Sequence, residues 1–392
     1  MSARSAVIFV PNDTAKTGLG TPMMLRRVMG APLLGWLGAS LRMSGIERFF
    51  LVCHGEYLEA AKACFPQTAA VSCAADQDAP DQLHVFLSTA EENEDDVLVI
   101  TRPVVCIPAA AEEEITDAPT GVCTVQRTSL MNALDEKFSF MEFLAKNGTA
   151  CGEQEGFFAV SAPDELADWQ PVLKRIMLSA LTDGGVEIWD WENCCVEPTV
   201  SVGAGTELLP GTILRGQTVV GENCRIGPNA LLEDAVIADG ASVNASQVYK
   251  SSVGEGTTVG PFAYIRPGCA VGAHVRVGDF VELKNSVIGD GTKISHLTYV
   301  GDSDVGERIN FGCGTVTVNY DRAAKYRTVI EDDAFIGCNA NLIAPVTVGK
   351  GAYIAAGSTI TDNVPPQALG IARARQNIKK DWALKHKLKV NK

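Results

Sequence analysis

Aliphatic residues recur at every sixth position through residues 253–277, VGEGTTVGPFAYIRPGCAVGAHVRV: Val253, Val259, Ile265, Val271 and Val277. Gly254, Gly260, Gly272 and Gly278 follow four of these. Six is neither the helical period nor the two-residue period of an ordinary strand. It predicts a parallel β-helix, in which each hexapeptide lays one short strand along a prism face and then turns a corner. The aliphatic side chain points inward, and glycine relieves the corner where positive φ would strain a Cβ. The period returns upstream at Val220, Ile226 and Leu232, resumes after a slip at Ile237 and Val243, and continues downstream at Ile288, Ile294, Val348, Ile354 and Ile360. The repeat covers roughly residues 195 to 365, about nine coils of about eighteen residues. Hexapeptide spacing favours the left-handed form, an exception to right-handed crossovers.

Before the repeat the pattern changes. Ala6–Val10 is a short apolar strand, Pro32 opens a helix through Leu41, and Arg48–Cys53 is a second strand. Glu56–Cys64 is a helix, Val97–Ile100 is a third strand after the acidic run Glu91–Asp96, and Ile188–Asn193 leads into the first coil. Strands alternating with helices predict an α/β domain with a mostly parallel sheet.

Composition narrows the class. The chain has 392 residues, 46% hydrophobic and 20% charged, long enough for two domains. No apolar run approaches the ~20 residues of a membrane span, and the N-terminus lacks a signal sequence, so the expected location is cytoplasmic without membrane insertion. The net charge of −14 argues against a nucleic-acid partner. From Arg373 to Lys392 the balance reverses, with eight Lys or Arg against one Asp. This basic tail reads as a solvated, partly helical terminus, or as a segment whose first residues meet an anionic ligand. The 12 cysteines include no CxxC pair and stand in apolar contexts, as reduced thiols used as small hydrophobes rather than disulfides or metal ligands.

From Asn193 onward the chain resembles the acetyltransferase half of the bifunctional N-acetylglucosamine-1-phosphate uridyltransferase/glucosamine-1-phosphate acetyltransferase family. The resemblance is carried by GPFAYIRPG (260–268), DFVELKNS (279–286), SHLTYVGD (295–302), NFGCGTVTVNYDRAAK (310–325), LIAPVTVGKGAYIAAGSTIT (342–361) and Ile371-Ala372-Arg373. Transfer of an acetyl group from a thioester to an amine needs a base near neutral pH, which suits histidine. The resemblance assigns that role to His296, with Glu282 as a candidate to hold the tautomer of its imidazole. His274, within an apolar repeat, reads as structural. Arg266 and Lys284 are implied to grip the sugar phosphate, and Tyr299, Asn310 and Lys325 to position the sugar. Arg266 also occupies a corner where most repeats have glycine, and the proline after it restricts its backbone. The acetyl-CoA positions fall on Cys313, Asn319, Tyr320, Cys338, Ala356 and Arg373. Three departures stand out: Cys313 replaces a usual alanine, Cys338 a usual serine, and Arg322 a usual glycine.

In the N-terminal half only the Gly30-Ala31-Pro32 turn and the strand after Gly45 still look close to the family. Its uridyltransferase half opens with L-A-A-G-x-G-T-R-M, whose backbone amides cradle nucleotide phosphates, followed by a lysine after a proline. Here residues 9–17 read FVPNDTAKT, Met23 follows Pro22, and Thr101-Arg102-Pro103 stands where the metal-binding aspartate belongs. No Gly-Val-Asn-Asn-like segment supplies a second ligand. The expected organisation is a degenerate nucleotidyltransferase-like α/β domain over 1–190, a left-handed β-helix acetyltransferase domain over 191–370 and a basic tail over 371–392. The implied reaction is N-acetylation of glucosamine 1-phosphate by acetyl-CoA in a homotrimer, without magnesium and without uridylyl transfer. The alternatives are another amino-sugar acceptor, a bifunctional enzyme that keeps uridyltransferase activity, or a non-enzymatic trimeric scaffold.

Overall fold

The computed structural model describes residues 3–18, 20–90, 95–108, 120–136 and 139–386. Residues 91–94 of the acidic run and 387–392 of the basic tail lie outside the described residues. The chain separates into two compact units, residues 1–267 and 268–392.

The first unit begins with a six-stranded sheet in the order Ala70–Ala75, Arg48–Cys53, Ser5–Val10, Asp96–Ile100, Val122–Gln126, Thr149–Cys151. The first three pairings are parallel and the last two antiparallel. Near-continuous apolar strands such as Val97–Ile100 are buried throughout, as a sheet covered on both faces requires. The helix expected from Pro32 runs Leu33–Met43, entered through the hairpin Arg27–Val28/Ala31–Pro32, whose turn residues Met29 and Gly30 both have positive φ. The helix expected over Glu56–Cys64 shrinks to a 3-10 turn, Gly55–Tyr57, and one short helix, Leu58–Lys62. Ala70–Ala75 makes Asp96–Ile100 the fourth long strand rather than the third. With Ala, Ser and Cys at five of its six positions, it lacks the β-branched signature of a strand.

The remainder of the first unit is the beginning of the solenoid. Glu187–Ile188 pairs with Glu207–Leu208, then Arg225–Ile226 and Ser242–Val243, all in parallel. Two further stacks run through Cys195–Val196 and Ser201–Val202. In the second unit the same three-stack prism is built on Arg276–Asp279, Glu282–Lys284 and Val287–Ile288. These stacks form the parallel β-helix of hexapeptide repeats that the six-residue period predicts, and Val253, Val259, Ile265, Val271 and Val277 are all buried. Coils are not uniform. Lys293 pairs with Asn310, 17 residues on, but Asn310 pairs with Phe335, 25 residues on, because an eight-residue excursion is inserted in that coil.

The corners hold buried hydroxyls that the aliphatic period does not announce. Thr292 Oγ1 donates to Gly306 O at 2.9 Å and accepts from Ile309 N at 3.1 Å. Ser286 Oγ likewise donates to Lys284 O and accepts from Ser303 N. Each hydroxyl ties one coil to the next where strand pairing lapses. Replacing Thr292 by valine keeps the shape and leaves Ile309 N–H unsatisfied in the core. We expect Thr292→Val to lower unfolding stability by about 1–3 kcal/mol, read as a shift in the urea midpoint; an unchanged midpoint would discard the hydroxyl ladder as a stabilising device.

Candidate functional site

One strand pairing places His296. Strands Arg276–Asp279 and Lys293–His296 run in register with Asp279 opposite His296, so both side chains leave the same face one coil apart. His296 Nδ1 lies 2.7 Å from Asp279 Oδ1. A carboxylate only accepts, so Nδ1 donates in this pair. The hydrogen bond from His296, the leading cause, holds the Asp279 carboxyl below the usual aspartate range. The residue expected to help hold the imidazole's tautomer was Glu282, whereas the contact at Nδ1 is made by Asp279. Glu282 lies beyond the corner at Phe280, on the next face, where it pairs with Tyr299.

Asp302 organises the second group. It is nearly buried, at 5% exposure, and sits one coil from both Asn285 and Asn319. Asn285 Nδ2 donates to it at 2.5 Å, Asn319 Nδ2 also donates, and Lys284 Nζ is 3.8 Å away. Burial raises its carboxyl, but the two amides and the charges of Lys284 and Lys325 outweigh that and hold it below the usual range. The structure therefore gathers Lys284, Asn319 and Lys325 around an aspartate that sequence reasoning passed over. Lys325 arrives on the inserted excursion, where Asp321 Oδ1 accepts from the amides of Ala323 and Ala324 and Tyr320 bridges to Lys325. Arg327 closes its end by gripping Asp304 with both Nε and Nη2.

The remaining positions implied for acetyl-CoA by the resemblance form a column. Cys313 lies one coil from His296, Cys338 one coil from Cys313, and Ala356 one coil from Cys338, as Gly314 N to Leu297 O, Asn339 N to Cys313 O and Gly357 N to Cys338 O record. Cys313, Cys338, Ala356 and Arg373 are all exposed. Asn310 is half-buried at the head of its strand, and Tyr299 is half-buried across from Glu282. Arg266 belongs to the first unit, where its carbonyl accepts from Ser251 Oγ and its guanidinium lies 6.0 Å from the Tyr264 ring centre. His274 is an exposed corner residue with φ +53.

Residues 250–285 and 327–362 match the family described as bacterial transferase hexapeptide (six repeats). The chain carries hexapeptide transferase repeats. It is 46% identical over 253 residues to the bifunctional protein GlmU of Clostridium kluyveri, a match covering 64% of this chain and 56% of that relative. To the bifunctional protein GlmU of Brevibacillus brevis it is 50% identical over 221 residues, 56% of this chain and 48% of the relative. To that of Halalkalibacterium halodurans it is 43% identical over 290 residues, 70% and 64% respectively. The chain thus spans roughly half to two-thirds of the length of the GlmU relatives it matches.

Arg322, a departure from the glycine usual in the resembled family, takes a backbone conformation that suits glycine. Arg322 stands at φ +81, the left-handed conformation that glycine adopts without a Cβ penalty, and its carbonyl accepts from Tyr320 Oη at 2.8 Å. At the N-terminal loop, Asp13 Oδ1 accepts from Met23 N at 3.0 Å, and Thr14 Oγ1 donates to Asn12 Oδ1 at 2.7 Å. Met23, in the place of the family lysine, is 1% exposed and part of the core.

The depressed carboxyl of Asp302 has a consequence in acid. Its folded pKa lies below its unfolded one, so its contribution is present above the unfolded aspartate range and is lost as pH falls through the folded value. Asp302→Asn is expected to lower stability by about 1–3 kcal/mol at neutral pH and to flatten the loss of stability below about pH 4. Urea midpoints from pH 7 down to pH 3 test this; parallel acid limbs in wild type and variant would remove Asp302 from that role.

Proposed function

We propose that this protein is an acetyltransferase that uses acetyl-CoA to convert glucosamine 1-phosphate into N-acetylglucosamine 1-phosphate, on the route to UDP-N-acetylglucosamine and cell-wall precursors. The observation that carries this reading is the Asp279–His296 pair, 2.7 Å apart at the head of the column that leads to Cys313, Cys338 and Ala356. An ammonium group cannot attack a thioester until it loses a proton. Neutral His296, with Nδ1–H held by Asp279, has Nε2 available to take that proton. The amine then bonds to the acetyl carbonyl carbon, its nitrogen gives up a second proton as the carbon–sulfur bond breaks, and the departing thiolate takes up one of the two protons as free coenzyme A while the other passes to solvent. Lys284 supplies the cation for the sugar phosphate, poised by Asp302. Arg266 is assigned to the same phosphate by its motif alone. Tyr299, Asn310 and Lys325 are assigned to the sugar, and Asn319, Tyr320 and Arg373 to the coenzyme. The acting species is a homotrimer in the cytoplasm.

His296→Ala is expected to lower acetyl transfer by ~10²- to 10⁴-fold, the range for a lost general base, with little change in acetyl-CoA affinity. Asp279→Asn should reduce kcat less than this and move the pH profile of kcat. If His296 and Arg373 serve one site from different subunits, a mixture of His296→Ala and Arg373→Ala chains, dissociated and reassembled, regains activity. Wild-type turnover by His296→Ala, or full activity from a monomer, would overturn the reading.

The N-terminal domain is proposed not to transfer uridylyl groups. Expelling pyrophosphate from UTP needs a metal ion, a cationic side chain and close backbone donors, and one missing electrostatic donor typically costs ~10²- to 10³-fold. Here Met23 is buried where the lysine belongs, Asp13 is engaged with Met23 N, and Pro103 replaces the aspartate. Lys16 alone remains, in the place of the family's arginine. With UTP, magnesium and N-acetylglucosamine 1-phosphate, the protein should release no pyrophosphate above a blank. Magnesium-dependent release abolished by Lys16→Ala would establish the bifunctional alternative instead.

A further inference from the structure

Ten of the twelve cysteines are buried or half-buried, and Cys313 and Cys338 are exposed. Burial pushes the thiols of Cys64, Cys106 and Cys194 up to about 12, which keeps them protonated and inert. The exposed pair is different in placement. Strands Asn310–Phe311 and Phe335–Ile336 are in register, and the ladder continues past them: Gly312 N donates to Ile336 O at 2.7 Å, and Asn339 N donates to Cys313 O at 2.8 Å. Cys313 and Cys338 therefore face each other across adjacent coils, on the same side of a parallel ladder whose strands are about 4.8 Å apart. Disulfides join Cα atoms separated by about 4.4–6.8 Å. The spacing is also rigid, because a Cβ on Gly312 would collide with the backbone nitrogen of Cys338 and one on Gly337 with that of Ala356.

We propose that Cys313 and Cys338 form a dithiol site that a low-molecular-weight disulfide oxidises to an intramolecular disulfide, closing the coenzyme end of the column. One cysteine thiolate attacks a sulfur of the small disulfide, forming a mixed disulfide and releasing one small thiol, which takes up the proton that the cysteine lost. The second cysteine thiolate attacks the protein sulfur of that mixed disulfide and releases the other small thiol. Two protein thiols are oxidised and one small disulfide is reduced to two thiols. The site lies between His296 and Ala356 in the column, so a cross-link there changes the wall against which the acetyl thioester is proposed to lie. The dithiol stands on this geometry, whereas its effect on catalysis rests on the acetyltransferase reading.

The test treats the full-length protein with oxidised glutathione, then maps thiols and peptides by mass spectrometry and assays acetyl transfer before and after dithiothreitol. The expected result is a Cys313–Cys338 cross-linked peptide that dithiothreitol releases, with activity lost on oxidation and recovered on reduction. Cys338→Ser should stop at a glutathione adduct on Cys313. Two intact thiols after treatment, or two separate glutathione adducts on the unmutated protein, would overturn the dithiol. A cross-link with undiminished acetyl transfer would overturn the closure. A cross-link in a protein without acetyl transfer before oxidation would support the dithiol and count against the acetyltransferase reading instead.

Discussion

Everything chemical in residues 268–392 depends on the hydrogen-bonded register of one coil on the next. A parallel ladder permits no sliding: a shift by one residue would turn every inward aliphatic to solvent and every outward side chain into the prism. With register held by Ile288, Ile294, Phe311, Ile336 and Ile354 inside, a residue on the outside meets the one a coil later at the inter-strand spacing, whatever their chemistry. Asp279 and His296 are separated by 17 residues, as are Asn285 and Asp302, and Asp302 and Asn319. The site is a set of side chains set side by side by the coil length.

This gives the site a rigidity that loop-borne sites lack. Its pairs sit on a backbone whose corners are crowded enough that added Cβ atoms would strike the next coil, as at Gly278 and Gly312. Buried Thr and Ser hydroxyls replace the backbone bonds that corners cannot make. The longest coil, between Asn310 and Phe335, is where the chain leaves the prism to bring Lys325 toward Asp302. Regular coils provide fixed columns, and the irregular one provides reach.

The N-terminal loop is closed by its own contacts. A loop that cradles phosphate keeps its amides and a cation turned outward. Here Asp13 caps Met23 N, and Met23 and Met24 are buried.

The solenoid was legible in the sequence because its period is set by local geometry: six residues per face and an aliphatic at each inward position suffice, so Val253 through Val277 announced it. The roles proposed for His296, Lys284 and the coenzyme positions rest on motifs that resemble a known family, since nothing in a lone histidine or lysine reports its neighbours. The long helix Glu165–Asp183 and the strand Ala70–Ala75 escaped notice, the first carrying Pro171 within it and the second built of small residues. Only the tertiary structure decided that Asp279 meets the imidazole at Nδ1, that Asp302 gathers the cations, and that Cys313 faces Cys338. Those pairings depend on the actual length of each coil, which ranges from 16 residues between Tyr353 and Leu369 to 25 between Asn310 and Phe335. Slips and insertions in coil length leave the hydrophobic period readable while they change which outward side chains meet.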